Sequence, residues 1–324
     1  MADQLEAPDG LAGHPPALEA EALPRATVII PHFQMPEALQ RCLDSVLAQA
    51  LDHGSFEVIV VDNNSASFPY DVAAAYPGCR FLRCAKPGPG LARNVGVAAA
   101  RSPVLAFIDA DCRAEAGWLQ AAVDAVESDP ERGIFGGDVR IDFIDPQRLS
   151  ALEAYEAVFA FRQKFYIEKK QFSGTGNLAI PAVVHGAVGP FAGIDTAEDM
   201  DWGQRAHRAG YVTRYIEPMR IYHPARRTFA ELQRKWQRHI SHDLHTHRSL
   251  GRPAWRWQVQ ALMVLASIPI HAPRMLTSNR LSGLGNRLRG LGVLVRIRLW
   301  RVAEMRRAAS APQVSGGVYW TQQP

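Results

Sequence analysis

The residues best suited to chemistry stand in two acidic clusters. Phe107-Ile108-Asp109-Ala110-Asp111 closes an apolar run, and Glu198-Asp199-Met200-Asp201 follows much later. Carboxylates at i and i+2 can both project from the end of a buried strand. That arrangement suits a divalent cation holding a diphosphate, because hard cations take oxygen ligands and neutralise phosphate charge. The second cluster opens a helical pattern from Glu198 to Ala209 and could supply a general base to the same pocket. Together they suggest an enzyme that activates a nucleotide-bound group with a metal. The plainer readings are turn residues after a strand and acids favoured in a helix's first turn.

These side chains need a scaffold, and the pattern from Ala26 onward supplies one. Strand-like runs at Ala26–Pro31, Glu57–Asp62, Cys79–Cys84 and Val104–Ile108 alternate with helical stretches around Pro36–Ala50, Tyr70–Tyr76 and Leu91–Ala100. Short Val/Ile runs between helices indicate a parallel sheet buried on both faces. Ligands of such sheets sit outside the carboxyl ends of the strands, where Pro31-His32-Phe33, Asp62-Asn63-Asn64-Ser65 and Asp109-Ala110-Asp111 fall. Beyond them the pattern predicts a helix over Glu115–Ser128 and a strand over Ile134–Ile144. A long amphipathic helix over about Leu149–Ile167, a Gly-rich loop at Ser173–Asn177 and a strand over Thr213–Glu217 follow. From Thr228 everything reads as helix, broken at Gly251-Arg252-Pro253.

Other readings fall away. In Gly88-Pro89-Gly90-Leu91-Ala92-Arg93 an arginine occupies the third glycine of a dinucleotide fingerprint, and no GxxxxGK[ST] loop is present. Four cysteines without CxxC spacing favour a reduced, cytosolic compartment. The N-terminus is acidic where a secretory signal would be basic, so no signal peptide is expected, and residues 1–24 read as a disordered leader. His239, His242, His245 and His247 read as a polar helix surface sooner than as a metal site.

Taken together, the motifs resemble the family 2 glycosyltransferases, which have the GT-A fold. The matching pieces, in order, are Val28-Ile29-Ile30-Pro31, Val60-Val61-Asp62-Asn63-Asn64-Ser65, Gly90-Leu91-Ala92-Arg93-Asn94-Val95-Gly96, Asp109-Ala110-Asp111, Gly174-Thr175-Gly176-Asn177, and Glu198-Asp199-Met200-Asp201 with Arg205. The resemblance covers about Ala26 to Leu250. It implies an α/β catalytic domain at 25–225, with a mostly parallel central sheet and helices on both faces, followed by a helical basic extension at 226–324. By position it implies that Pro31, His32, Phe33 and Asp62 hold the nucleotide, and that Arg93, Asn94 and Asp109 hold its diphosphate and sugar. Asp111, with Asp109 and a late histidine, His223, would hold Mn2+ or Mg2+. Asp199, beside Glu198, would be the base of an inverting transfer from a nucleoside-diphosphate sugar, expected to be UDP-linked, to a hydroxyl of a glycan or glycolipid. His32-Phe33-Gln34 stands where relatives carry Tyr-Asn, and the QxxRW motif of processive synthases is not reproduced in Gln233-Arg234-Lys235-Trp236. The alternatives are a polyprenyl-phosphate monosaccharide synthase and a non-catalytic membrane-associated scaffold on the same fold.

Charge divides the chain. The net +4 hides 19 Lys+Arg against 29 Asp+Glu over residues 1–225, and 17 against 3 over residues 226–324. The basic part implies an anionic partner. Arg226, Arg227 and Arg234, with Gly176 and Asn177, are candidates for acceptor or phosphate contacts, since guanidinium groups match phosphate geometry. No aromatic-and-basic platform suggests nucleic acid. Leu284, Leu288, Leu291, Val295, Leu299 and Val302 form a helical stripe that could lie on an anionic leaflet, so peripheral contact with the cytoplasmic membrane face is expected. The apolar stretch Val259–Ile270 is 12 residues long, short of the about 20 a span needs, and reads as buried or interfacial.

Overall fold

The computed structural model describes residues 23–51, 53–194 and 196–310. The expected leader lies outside these except for its last two residues. Eight strands follow in order: β1 (Ala26–His32), β2 (Phe56–Asp62), β3 (Arg80–Arg83), β4 (Val104–Ile108), β5 (Arg113–Ala114), β6 (Gly133–Asp142), β7 (Asn177–Pro181) and β8 (Val212–Pro224). They form one sheet, ordered β3-β2-β1-β4-β7-β6-β8-β5. The helices are α1 (Pro36–Leu47), α2 (Tyr70–Ala75), α3 (Pro89–Ala99), α4 (Trp118–Ser128), α5 (Ala151–Phe159), α6 (Gln163–Lys170), α7 (Ala182–Val188), α8 (Glu198–Arg208), α9 (Phe229–Ser249), α10 (Ala254–Thr277) and α11 (Leu284–Ser310).

The Val/Ile runs are strands covered on both sides. Val28 and Ile30 join a core with Leu39, Leu43 and Trp118, while Ile29 between them faces another with Leu105, Phe107 and Trp202. Successive strand side chains point to opposite faces, so two cores produce an unbroken apolar run. β3, β2, β1 and β4 are parallel, in a register that sets His32 opposite Asp62. The second half is mixed: β7 runs antiparallel to β4 and β6, and β8 parallel to β6.

Two expected elements change. The helix over Leu149–Ile167 is two helices, because Arg162 leaves the helical conformation (φ −127°, ψ 49°). The break lets Phe161 wedge between two cores and bring its ring 4.6 Å from that of His223. The strand over Thr213–Glu217 continues to Pro224, with a register shift against β6 at Gly137/Asp138.

The C-terminal helices pack onto the rest of the molecule. Tyr155 and Val158 of α5 share a core with Met275 of α10 and with Leu294 and Ile297 of α11. Buried Asp138 on β6 accepts hydrogen bonds from Arg140, Arg220 and Arg280, which ties the α10–α11 connection to the sheet. The predicted leucine stripe coincides with the packing face only in part. Gly290, Val293, Leu294, Ile297, Arg301, Val302 and Met305 are buried and Leu291 packs beside them, whereas Leu284, Leu288 and Leu299 are exposed. Gly290 decides this: a Cβ there would strike Met275 and the backbone of Ala154, so the glycine face lets α11 approach closely.

Candidate active site

A cleft of about 900 Å³ opens at the carboxyl ends of β1, β2 and β4 and is closed by the segment after β8 and by α9. Its location follows the strand-end rule, and its volume suits a small-molecule ligand. Pro31, His32, Phe33, Asn63, Arg93, Asp109 and Asp111 line it, as do Glu198, His223, Arg226, Arg227, Arg234, Lys235 and Arg238. Asp109 and Asp111 therefore meet Glu198, 87 residues beyond Asp111, in one site, while Asp199 stands beside Glu198 and is not among the residues lining the cleft.

Arg93 joins them. Its side chain, only 3% exposed, donates from Nη2 to Asp109 Oδ1 (2.6 Å) and from Nη1 to Glu198 Oε1 (3.1 Å). Its Nε has no partner. Two glycines make this arrangement possible. A Cβ on Gly176 would collide with the Asp109 carboxylate, and one on Gly90, a turn before Arg93, would strike the carbonyl oxygen of Ala192. The Gly-rich loop thus acts through Asp109.

Asp111 faces His223, with Oδ2 3.2 Å from Nε2. The His223 Nδ1 lies 2.6 Å from the carbonyl oxygen of Pro224. A carbonyl can only accept, so Nδ1 carries a proton, and in the neutral ring the Nε2 lone pair faces the carboxylate. In that form the pair offers two ligand atoms to one cation. Carboxylate and imidazole are donors a divalent ion accepts, and the Pro224 carbonyl, holding Nδ1, fixes the imidazole as liganding histidines require. The Cys112 sulfur completes this group within 4.8 Å, but burial and then the Asp111 and Asp109 charges hold its thiol well above the usual range, so it remains a neutral neighbour. Asp111 and His223 fit a metal; among the described residues the histidines of α9 form no such group. His247 instead packs edge-on to Trp257, with ring centroids 5.5 Å apart.

Asp199 is pushed up to about 6, by burial first and then by the Glu198 charge. Its Oδ1 accepts from the Met200 backbone N–H at 2.7 Å. Tyr166 lies near enough for Asp199 to add to the burial that raises its phenol. An acid with that value is largely ionised at neutral pH and is suited to accept a proton.

Not every expected residue reaches the cleft. Pro31 and Phe33 line it. His32 does so with both nitrogens engaged: Nε2 accepts from the Met35 N–H (3.2 Å), and Nδ1 is 3.3 Å from Asp62 Oδ1. Burial lowers the His32 pKa. Asp62 itself is 1% exposed, and its other oxygen accepts from Ser65 N–H. Asn94 spends its amide on both backbone groups of Phe191 at 2.9 Å. Asn177 is fully buried; it accepts from Trp118 and donates to the carbonyls of Asp138 and Met219. Asp62, Asn94 and Asn177 hold strand ends and loops in place. Arg226 is held by buried Glu156 through both its backbone N–H and its guanidinium. Arg227 and Arg234 are exposed along the cleft.

Lys235 and Glu156 escaped the sequence reading. Lys235 lines the cleft, and burial, then Arg226, pushes its ammonium down to about 7. Beside the arginines already singled out, the local signal for this wall is the capping pattern Thr228-x-x-Glu231, which starts α9, with Glu231 N–H donating to Thr228 Oγ1 at 3.2 Å.

A mostly parallel sheet with an acidic cleft at its strand ends, helices on both faces and further C-terminal helices defines an α/β protein of GT-A type. Among solved structures, the chain resembles the mannosyltransferase PcManGT from Pyrobaculum calidifontis, in complex with GDP-Man and Mn2+. The TM-score is 0.50 and the identity 16%, covering 92% of this chain and 79% of that one. The profile for Glycosyl transferase family 2 matches residues 27–197. Glycosyltransferase AglE of Haloferax volcanii is 33% identical over 219 residues, which cover 66% of this chain and 71% of the relative. The succinoglycan biosynthesis protein ExoO of Rhizobium meliloti is 33% identical over 129 residues, 35% of this chain and 36% of ExoO. The chain belongs to glycosyl transferase family 2 and is a glycosyltransferase.

Proposed function

We propose that the chain is a metal-dependent, inverting hexosyltransferase that moves a sugar from a nucleoside-diphosphate donor, UDP-linked in the first instance, to a hydroxyl of a glycan or glycolipid. Residues 25–225 are the catalytic domain and 226–324 a helical extension, working at the cytoplasmic face of the membrane. The observation that carries the reading is the convergence of Asp111 with His223, and of Asp109 with Glu198 through Arg93, in one cleft.

Asp111 and His223 would hold a divalent ion, which when bound screens charge building on the departing diphosphate. Pro31 and Phe33 offer apolar surface for the base at the end of β1. Arg93 fixes Asp109 and Glu198. Asp199 takes the proton of the acceptor hydroxyl as that oxygen attacks the anomeric carbon from the side opposite the leaving diphosphate. Arg227 and Arg234 bind anionic groups of substrate.

The cationic wall favours one further reading, a phosphate in place of the hydroxyl. Arg234 and Lys235 make no ion pair with a carboxylate among the described residues. A phosphate nucleophile is already an anion and needs no base, so Asp199→Asn would retain transfer to polyprenyl phosphate and lose transfer to a hydroxyl.

Calorimetric titration of UDP, GDP and dTDP, with and without Mn2+, tests the main reading. Metal-dependent binding of one nucleotide, lost in Asp111→Ala, is the expected result. No binding of any of the three under either condition overturns it.

A further inference from the structure

Helix α10 departs from the usual design of a surface helix. Between Arg256 and Arg274 lie 17 residues with no Asp, Glu, Lys or Arg. Among the described residues it is the one helix long and apolar enough to cross a membrane, yet only 11% of its apolar window is buried. One face is committed: Trp257 and Ala261 pack with Ile240 and Leu244 of α9 and with Val302 and Met305 of α11. The Trp257 indole donates to the Met305 carbonyl at 2.9 Å.

The opposite face is apolar and open. Trp255, Val259, Leu262, Met263 and Ile270 fall on a single helical stripe, with Met263 66% and Ile270 72% exposed. A continuous exposed apolar strip of this kind marks a contact surface. Charge says what it contacts. Arg252 and Arg256 stand at one end and Arg274 at the other, all exposed, and none is ion-paired with a carboxylate among the described residues. From Leu250 to Ser310 the chain carries 11 arginines and one acid, Glu304. Anionic headgroups complement that set.

We propose that α10 lies in the plane of an anionic bilayer surface, its Trp255–Ile270 stripe in the acyl boundary and Arg252, Arg256 and Arg274 among the headgroups. The inference rests on the membrane-side reading above and replaces α11 with α10 as the contacting element. Spanning is disfavoured, because it would strip Trp257 and Ala261 from the core they share with α9 and α11. A second copy is disfavoured too: two such stripes packed antiparallel would set Arg252 and Arg256 against Arg274. The bilayer then lies one helix away from the cleft, since α9 packs on α10 through Ile240 and Leu244 and lines the cleft through Arg234 and Lys235.

Sedimentation of the full chain with vesicles of phosphatidylcholine alone, or mixed with phosphatidylglycerol, tests this. The wild type should sediment with the mixed vesicles, and Met263→Glu should weaken that binding roughly tenfold by placing a charge in the apolar stripe. Arg252→Gln/Arg256→Gln/Arg274→Gln should abolish the preference for anionic lipid. Nucleotide titration of the same preparations should be unchanged; it certifies the fold and reports on the transferase reading independently of the vesicles. The proposal is overturned if the wild type binds neither vesicle, if Met263→Glu binds as well as wild type, or if light scattering shows a dimer that Met263→Glu splits.

Discussion

The two sides of the cleft are built on opposite plans. The acidic floor stands on strand ends and the start of α8, and part of it is paired from within: Arg93 binds Asp109 and Glu198, and Gly176 and Gly90 give those contacts room. The basic wall stands on α9 and the segment before it. Arg226 there is answered by Glu156, but Arg234 and Lys235 make no carboxylate ion pair among the described residues. A floor whose Arg93 bridge is already made in the free protein is preorganised for chemistry. A wall with surplus cations is finished by the ligand. The floor should therefore respond to substitution in rate and stability, and the wall in binding and its pH dependence.

The largest expected effect is at Asp199. Asp199→Asn should lower kcat for transfer to a hydroxyl acceptor by about 10²–10⁴-fold, the usual range for a general base, with donor binding retained. With Asp199 at about 6, kcat/KM should rise as pH passes through about 6 and level off above it; the residual activity of the variant should lack that limb. A limb that persists would assign the base elsewhere. Stability carries the same signature with a fixed sign. A carboxyl whose folded pKa lies above the ordinary aspartate value of 3.8 favours folding below that value and loses that contribution as pH rises through about 6. Asp199→Asn should therefore melt higher than wild type at pH 8 and no higher at pH 3.5.

Next comes the buried bridge. Arg93→Met removes the cation that keeps Asp109 and Glu198 together; with both carboxylates still reached by solvent it should cost about 2 kcal/mol, the scale of hydrogen bonds to charged groups, read as a lower urea midpoint. Gly176→Ala tests the floor more gently. The added methyl displaces the Asp109 carboxylate, so kcat should fall roughly tenfold, the scale of a small misplacement of a positioning group, while the urea midpoint stays close to wild type. If Gly176→Ala keeps full activity, the position of Asp109 is unimportant and the floor is less exacting than its packing implies.

The same contrast governs how much was legible in the sequence. β1, β2 and β4 were readable because burial on both faces demands unbroken Val/Ile runs, and the acids after them mark strand ends. Side chains at those ends were harder: Asp62, Asn94 and Asn177 are polar and well placed by motif, but their hydrogen-bonding capacity is spent within the protein, which only the folded geometry reveals. The partners of Asp138 lie 2, 82 and 142 residues away, beyond any local pattern. The break at Arg162 follows from Phe161 reaching His223, again a distant contact. On α11 the leucine stripe and the packing face coincide only in part, because a helix–helix contact made through Gly290 rewards closeness over side-chain volume. On α10 the apolar stretch was visible but underestimated in length, since Trp255 and Trp257 extend it past Val259 and two prolines, Pro269 and Pro273, lie inside a helix that continues through them.

The smallest effect belongs to the wall, and it is measured in protons. Lys235 at about 7 is partly neutral at pH 7.5 in the free protein. A phosphate or diphosphate bound beside it favours the ammonium and raises that value, so binding should take up a fraction of a proton. Calorimetry of nucleoside diphosphate or polyprenyl phosphate in two buffers of different ionisation enthalpy reads this directly, as a dependence of apparent binding enthalpy on the buffer. Lys235→Arg should bind the same ligand without the dependence, because a guanidinium stays charged throughout. Uptake with polyprenyl phosphate but not with the nucleotide would assign the α9 wall to the acceptor and the acidic floor to the donor. Uptake with the nucleotide would make both walls serve the donor, and the division between them would be one of charge alone.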